Sequence, residues 1–392
     1  MENFFEEEKT RKINRKKVIL AILIAILIIF TAVVTIIYCN NAKFRRWMDK
    51  NILRKEIQQG KTVSIEFKGE TNSNVYAYDK YIVILENKVL KIYDTIGAEV
   101  ASITTQINNP IFDTAGKYLV VAEENGEEIY LIAGKKMLWN TKAEGKITAV
   151  QVNENGYVGI VLSDISYKNI IDVYDLSGKS LFKTYVATNK VVDISISKSN
   201  KYLAIAEVDI SGVMLQSSIR VISIEKARTD PSNSMVNTYY ADTGKLIMNI
   251  EYQSKDRILC IYNDSIEAIE NKQKNVLMKL DNQKITFASI ELKNKLVTVE
   301  ERETEEFSSA SCVSIMNVVN NKIKKYETEE IAKEIYTYEN VIALNFGADL
   351  HIINNNGWLM KKYISNQEIN KVVMSNKVVG IIYRDKIEII EL

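Results

Sequence analysis

From residue 61 to its end the chain repeats one short pattern. The stretches "KYIVILE" (80–86), "KYLVVAE" (117–123), "GYVGIVL" (156–162), "KYLAIAE" (201–207), "RILCIY" (257–262), "KLVTVEE" (295–301), "NVIALNF" (340–346) and "KVVGIIY" (377–383) align with one another, mostly near 40 residues apart. A further strand, a turn and another strand follow most of them, most clearly in "KIYDTIGAEVASI" (91–103) and "DVYDLSGKSLFKT" (172–184). Alternation of period two marks each run as a strand. Four strands per unit at this period predict an all-β chain folded as a β-propeller. The count is eight blades, or seven if units five and six are one unit wrongly divided. The last unit, 369–392, stops after three strands, while "KTVSIEF" (61–67) has no partner of its own. Pairing the two closes the ring and removes the open edges that a stack of sheets would expose.

The N-terminal part is different. "VILAILIAILIIFTAVVTIIY" (18–38) is apolar apart from two threonines, long enough to cross a bilayer of about 30 Å. A cleaved signal would be shorter and end in small residues; this one ends Ile37-Tyr38-Cys39, also a poor lipoprotein acceptor. Arg15, Lys16 and Lys17 abut the span on one side, and Arg45, Arg46 and Trp47 follow it on the other, as membrane-interface residues. The positive charge nearest the span favours a cytoplasmic N-terminus. The expected organisation is a cytoplasmic basic segment (1–17), a transmembrane helix (18–38), a juxtamembrane linker helix (39–60) and the propeller (61–392), outside the cell membrane.

Composition removes several kinds of chemistry. One histidine (His351) and three scattered cysteines (Cys39, Cys260, Cys312) cannot build a zinc site or a disulfide framework. A net charge of +1 without a basic stripe gives no nucleic-acid footprint. No nucleophile elbow or EF-hand loop is present. No catalytic residue, metal ligand or cofactor is expected, and the chain is read as not an enzyme. Trp139, Phe182 and Trp358 are read as wedges packed between outer strands.

A basic N-terminus, one span and a degenerate propeller together resemble an uncharacterised family of single-pass, membrane-anchored propellers from AT-rich Gram-positive bacteria, a domain of unknown function. The resemblance implies an envelope location and nothing catalytic. The run Asp175–Phe182 is also similar to the hairpins of quinoprotein-like propellers, some of which serve as assembly scaffolds. With three tryptophans, one beside the membrane, this chain lacks the repeated docking pattern that a quinone enzyme implies.

Charge is divided by turn type. In an up-and-down blade with strands A to D, the B–C and D–A turns emerge on one rim and the A–B and C–D turns on the other. The B–C turns carry Glu123, Glu124, Glu127, Glu128, Asp164, Glu207, Asp209, Asp264, Glu300, Glu301, Glu303, Glu305, Glu306, Asp349 and Asp385, with few bases. The opposite turns carry Lys117, Lys135, Lys136, Lys179, Lys198, Lys201, Lys272, Lys293 and Lys322 among others. The expected partner-binding residues are Glu123, Glu124, Glu127, Glu300, Glu301, Glu303, Glu305 and Glu306. The expected function is a protein-binding or scaffolding module of the envelope. The alternatives are a ligand- or glycan-binding sensor and, further off, a quinoprotein-type enzyme.

Overall fold

The structure, a computed structural model, describes residues 15–53, 62–66, 74–280, 284–303 and 309–392. It has two units, one up to residue 54 and the other from residue 55 onward.

The first unit is a pair of helices. Helix α1 (Arg15–Asn40) contains the apolar run, and an 18-residue stretch within Val18–Asn40 has a mean hydropathy of 3.2, enough to cross a membrane as an anchor or to act as a signal sequence. Helix α2 (Ala42–Asn51) starts at Asn41, whose side chain accepts the N–H of Phe44 at 3.0 Å and so satisfies one of the open donors of the first turn. The Tyr38 hydroxyl donates to Asp49 at 2.7 Å and ties the end of α1 to α2.

The second unit is an eight-bladed propeller of eight four-stranded antiparallel sheets. Blades 1 to 7 are residues 75–104, 110–142, 146–186, 190–240, 247–279, 285–327 and 334–364. Blade 8 takes its three inner strands from residues 371–391 and its outer strand from Val63–Glu66. That strand runs antiparallel to Lys386–Glu391, with Val63 opposite Ile389 and Glu66 opposite Lys386. Units five and six are separate blades, which excludes the seven-bladed alternative.

The B strands bury nearly every residue, because both of their faces meet a neighbouring blade. The described residues form eight apolar clusters, one between each pair of successive blades, and the cluster between blades 8 and 1 seals the ring. A propeller therefore has no single core; its stability is spread over its inter-blade interfaces.

The recurring C–D turn has a specific job. In blade 3, Asp175 Oδ1 accepts the N–H groups of Ser177 and Lys179 at 2.8 and 3.1 Å, and Gly178 turns the chain at φ +83°. A Cβ on Gly178 would lie 2.7 Å from Cγ of Trp139, which comes from the outer strand of blade 2. The glycine thus allows a left-handed turn and leaves room for the indole. Trp139 also stacks on Tyr174, at 5.8 Å between ring centres. Phe182 lies in the cluster between blades 3 and 4, and Trp358 directly precedes the outer strand of blade 7. The other connections vary: blades 2 and 5 turn with two residues, Gly134-Lys135 and Asn271-Lys272, and the C–D connection of blade 4 contains a short helix (Ile224–Ala227) and a 3-10 turn (Pro231–Asn233).

Candidate functional site: the central channel and the two rims

The A strands line the channel, and each presents one backbone edge to it. Open N–H groups on such an edge need acceptors, and polar side chains of the preceding blade supply them. Asp113 Oδ2 accepts the Val152 N–H at 2.7 Å, Gln151 Oε1 that of Ile196 at 3.2 Å, Asp193 Oδ2 that of Ile250 at 2.9 Å, and Ser195 Oγ that of Tyr252 at 3.0 Å. Asp113 and Asp193 are therefore staples between successive inner strands, although sequence alone gave them no role.

These staples bring negative charge together. Asp113, Asp193, Glu251 and Glu291 line one end of the channel, in a cavity of about 380 Å³ that also includes Lys198 and Tyr338. Burial among protein walls pushes the Asp113 carboxyl up to about 7, Asp193 to about 6 and Glu251 to about 8. For Glu251 the charge on Asp113 adds to the rise, while Lys198 opposes it. Glu291 is also raised by burial, against a hydrogen bond donated by the Thr337 hydroxyl at 2.8 Å. Lys198 is itself paired with Glu154 at 2.6 Å. A larger adjoining cavity of about 660 Å³ is mostly apolar and contains Lys371, whose ammonium is pushed down by burial. Groups in this state can share protons near neutral pH or face a cationic group. Among the described residues no cluster of three or more His, Cys, Asp or Glu has metal-binding spacing.

His351 lies between blades 6 and 7, with its Nδ1 2.9 Å from the Tyr326 hydroxyl, and burial lowers it to about 4. It is thus neutral at physiological pH and away from the channel carboxyls. Cys260 and Cys312 are buried, and burial pushes both thiols up, away from the reactive thiolate form.

The rims carry the residues singled out from sequence. Glu123 accepts the N–H groups of Asn108 and Asn109 at 2.5 and 3.1 Å, and Glu124 accepts from the Asn109 amide at 2.7 Å. These two acids cap the neighbouring D–A turn as well as facing outward. Glu127 is exposed, Glu301 is half-buried, and Glu300 pairs with Arg302 at 2.7 Å. Glu303 is on a strand, but its side chain lies outside the description, as do residues Glu305 and Glu306 altogether. In the helical unit, Arg15, Lys16 and Lys17 belong to α1 and Arg46 to α2, and their side chains too lie outside the description. Arg45 is buried, while Trp47 is exposed and stacks on Phe44 at 6.1 Å. On the opposite rim of the ring, Lys117, Lys135, Lys136, Lys179, Lys201, Lys272, Lys293 and Lys322 are all exposed.

The sequence profile of a family of unknown function (DUF5711) matches residues 54–392. The chain belongs to that family. No curated protein matches it. Among solved structures, the C-terminal WD40 domain of Sif2 shares 13% identity at a TM-score of 0.56, covering 84% of this chain and 98% of that one. The dihydro-heme d1 dehydrogenase NirN shares 11% at 0.53, covering 86% and 78%. BamB from Moraxella catarrhalis shares 10% at 0.48, covering 84% and 96%. At such identities the likeness is one of fold. A WD40 domain and a dehydrogenase stand side by side here, so the fold does not choose between binding and catalysis for this DUF5711 member.

Proposed function

We propose that the protein is a membrane-anchored propeller, its ring on the outer side of the cell membrane, that holds another envelope protein on its acidic rim and performs no chemistry itself. The observation that supports this most is topological. Val63 starts the outer strand of blade 8 opposite Ile389, close to the chain end at Leu392, so the chain enters the ring on the rim of the A–B and C–D turns. That is the lysine-bearing rim. A tether attached there favours turning the exposed lysines toward anionic lipid, where each contributes about 1 kcal/mol when close to the surface. The rim carrying Glu124 and Glu127 is then left open to a partner. Among the described residues, the buried, neutral His351 and the buried thiols of Cys260 and Cys312 form no nucleophile–base pair, which fits a binding role.

Photoreactive side chains at positions 136 and 127 of the full-length protein in its native membrane test this reading. Lipid adducts are expected from position 136 and a discrete protein adduct from position 127. Lipid adducts from 127, or no protein adduct there, would reject the reading. Protease shaving of intact cells checks the side: the ring should be digested while the N-terminus survives. A second reading, capture of a cationic small molecule in the channel, draws on the carboxyls around Glu251; stabilisation by simple amines that disappears in Glu251→Gln would support it.

A further inference from the structure

Blades 3 and 4 make their B–C turns longer than the connection needs. Blades 1 and 5 cross the same gap with two residues, Asn87-Lys88 and Asn263-Asp264, whereas blade 3 uses 164–168 and blade 4 uses 210–215. The added residues are apolar at their tips. Ile165 and Val213 are fully exposed, Met214 is 69% exposed and Ile210 49%. Single exposed apolar residues are ordinary, but several on neighbouring turns of one rim mark a contact surface.

The tips are also held in shape. Asp164 Oδ1 accepts the N–H groups of Ser166 and Tyr167 at 2.8 and 3.0 Å, and Tyr167 leans on Tyr185 with ring centres 4.8 Å apart. Asp209 Oδ1 accepts the Ser211 N–H at 2.8 Å and its hydroxyl at 2.6 Å. Those bonds hold the Asp209 carboxyl below its ordinary range, so it stays charged. Ile165 and Val213 are β-branched and lose little rotamer freedom on being covered. Such preorganisation lowers the cost of binding.

We propose that the tips of blades 3 and 4 form one docking surface for the apolar side of a basic amphipathic segment of a protein partner. Charge selects this occupant. The B–C turns of blades 2 and 3 carry Glu124, Glu127 and Asp164 and the strand end before the turn of blade 4 carries Asp209, against a single base on those turns, Lys168, while Asp264 of blade 5 is paired with Lys245 at 3.6 Å. An anionic bilayer would be repelled by these acids, and a second copy of the same surface would bring a matching set of them. A segment with an apolar stripe flanked by Lys or Arg satisfies both the tips and their surroundings.

This inference rests on the acidic rim being the partner face, and it can fail separately. A photoreactive side chain at position 213 of the full-length protein in its membrane should give an adduct with one protein, and sequencing of the crosslinked peptide should find apolar residues interleaved with Lys or Arg. The Ile165→Ser/Val213→Ser double variant, with the photoreactive group at 127, should lose about 30-fold in adduct yield, as expected when central apolar anchors are removed. An undiminished yield from 127 overturns the docking surface and leaves the rim reading standing. Lipid adducts, adducts with a second copy of the chain, or an acidic crosslinked peptide at 213 also overturn it. A conservative pair, Ile165→Val/Val213→Ile, should keep the yield.

Discussion

Glu251→Gln is expected to raise the melting temperature at pH 8.5 by about 3 °C and to leave it almost unchanged at pH 5.5. In the unfolded chain this carboxyl loses its proton near pH 4.5, while in the folded ring burial and the Asp113 charge hold the proton to about 8. The folded form therefore binds more protons between those values, and stability must fall as pH rises through that window. Asp113 and Asp193, with carboxyls at about 7 and 6, act in the same direction. Their favourable contribution is complete below about pH 4 and has gone above about pH 8. Each tenfold change in acidity corresponds to about 1.4 kcal/mol. Solvent in the channel and coupling between the acids reduce the net effect of Glu251 to about 2 kcal/mol, or about 3 °C for a ring of this size. Calorimetry at pH 5.5, 7.0 and 8.5 should show the wild type melting progressively lower and the variant following a flatter line. A wild-type melting temperature that climbs with pH over this range would contradict the assignment. Asp113→Asn should flatten the profile less cleanly, since its Oδ2 also accepts the Val152 N–H.

The sequence made the blades legible because a propeller repeats its chemistry. Each B strand is sandwiched between neighbours, so runs such as "KYLVVAE" are apolar on both faces and align by eye. The Asp-x-x-Gly turns stand out because Asp175 and Gly178 supply fixed local needs, an acceptor for turn N–H groups and a positive φ. Turn polarity could be followed for the same reason, since strand order alone decides on which rim a loop emerges. The channel carboxyls could not be read in this way. Asp113 and Asp193 sit singly in different inner strands, 80 residues apart in the chain, and only ring closure gathers them. A signal did exist, an acid inside an otherwise apolar inner strand as in "PIFDTA" and "KVVDISI". The apolar tips of blades 3 and 4 were hidden for a different reason: exposed isoleucine and valine look like strand residues until the strand ends are known. Glu123 illustrates the limit on rim charge, because its bonds to Asn108 and Asn109 appear only once the D–A turn is placed beside it.

Replacing both inward residues of the closing strand, Val63→Asp together with Ile65→Asp, is expected to lower the melting temperature by about 6 °C and to make the protein self-associate. The strand has only four residues, and its alternation is half-buried at Val63 and Ile65 and exposed at Ser64 and Glu66. Ile65 packs on the cluster between blades 8 and 1, which includes Ile82, Val378 and Ile387. Val63 reaches across to the C–D turn of blade 1, where a Cβ on Gly97 would lie 2.3 Å from Val63 Cγ1. Two carboxylates at these places would lose apolar burial and release the ladder to Lys386–Glu391, together costing about 4 kcal/mol. At about 1.5 °C per kcal/mol, the scale for a ring of about 330 residues, this gives the expected drop. The bared edge of Lys386–Glu391 would then offer unpaired backbone groups to another molecule. Calorimetry with analytical ultracentrifugation reads both effects, and Ser64→Lys on the outward face should melt within about 1 °C of wild type. A monomeric double variant with unaltered melting would mean that the ring holds without its N-terminal strand. Gly97→Val supplies an independent check from the other side of the same contact. Its φ of +74° disfavours any side chain, and the added atoms would strike Val63, so a comparable loss is expected. Joining Gly97→Val to Val63→Ala should cost less than the sum of the two, because removing the Val63 methyls clears the space that the new valine needs.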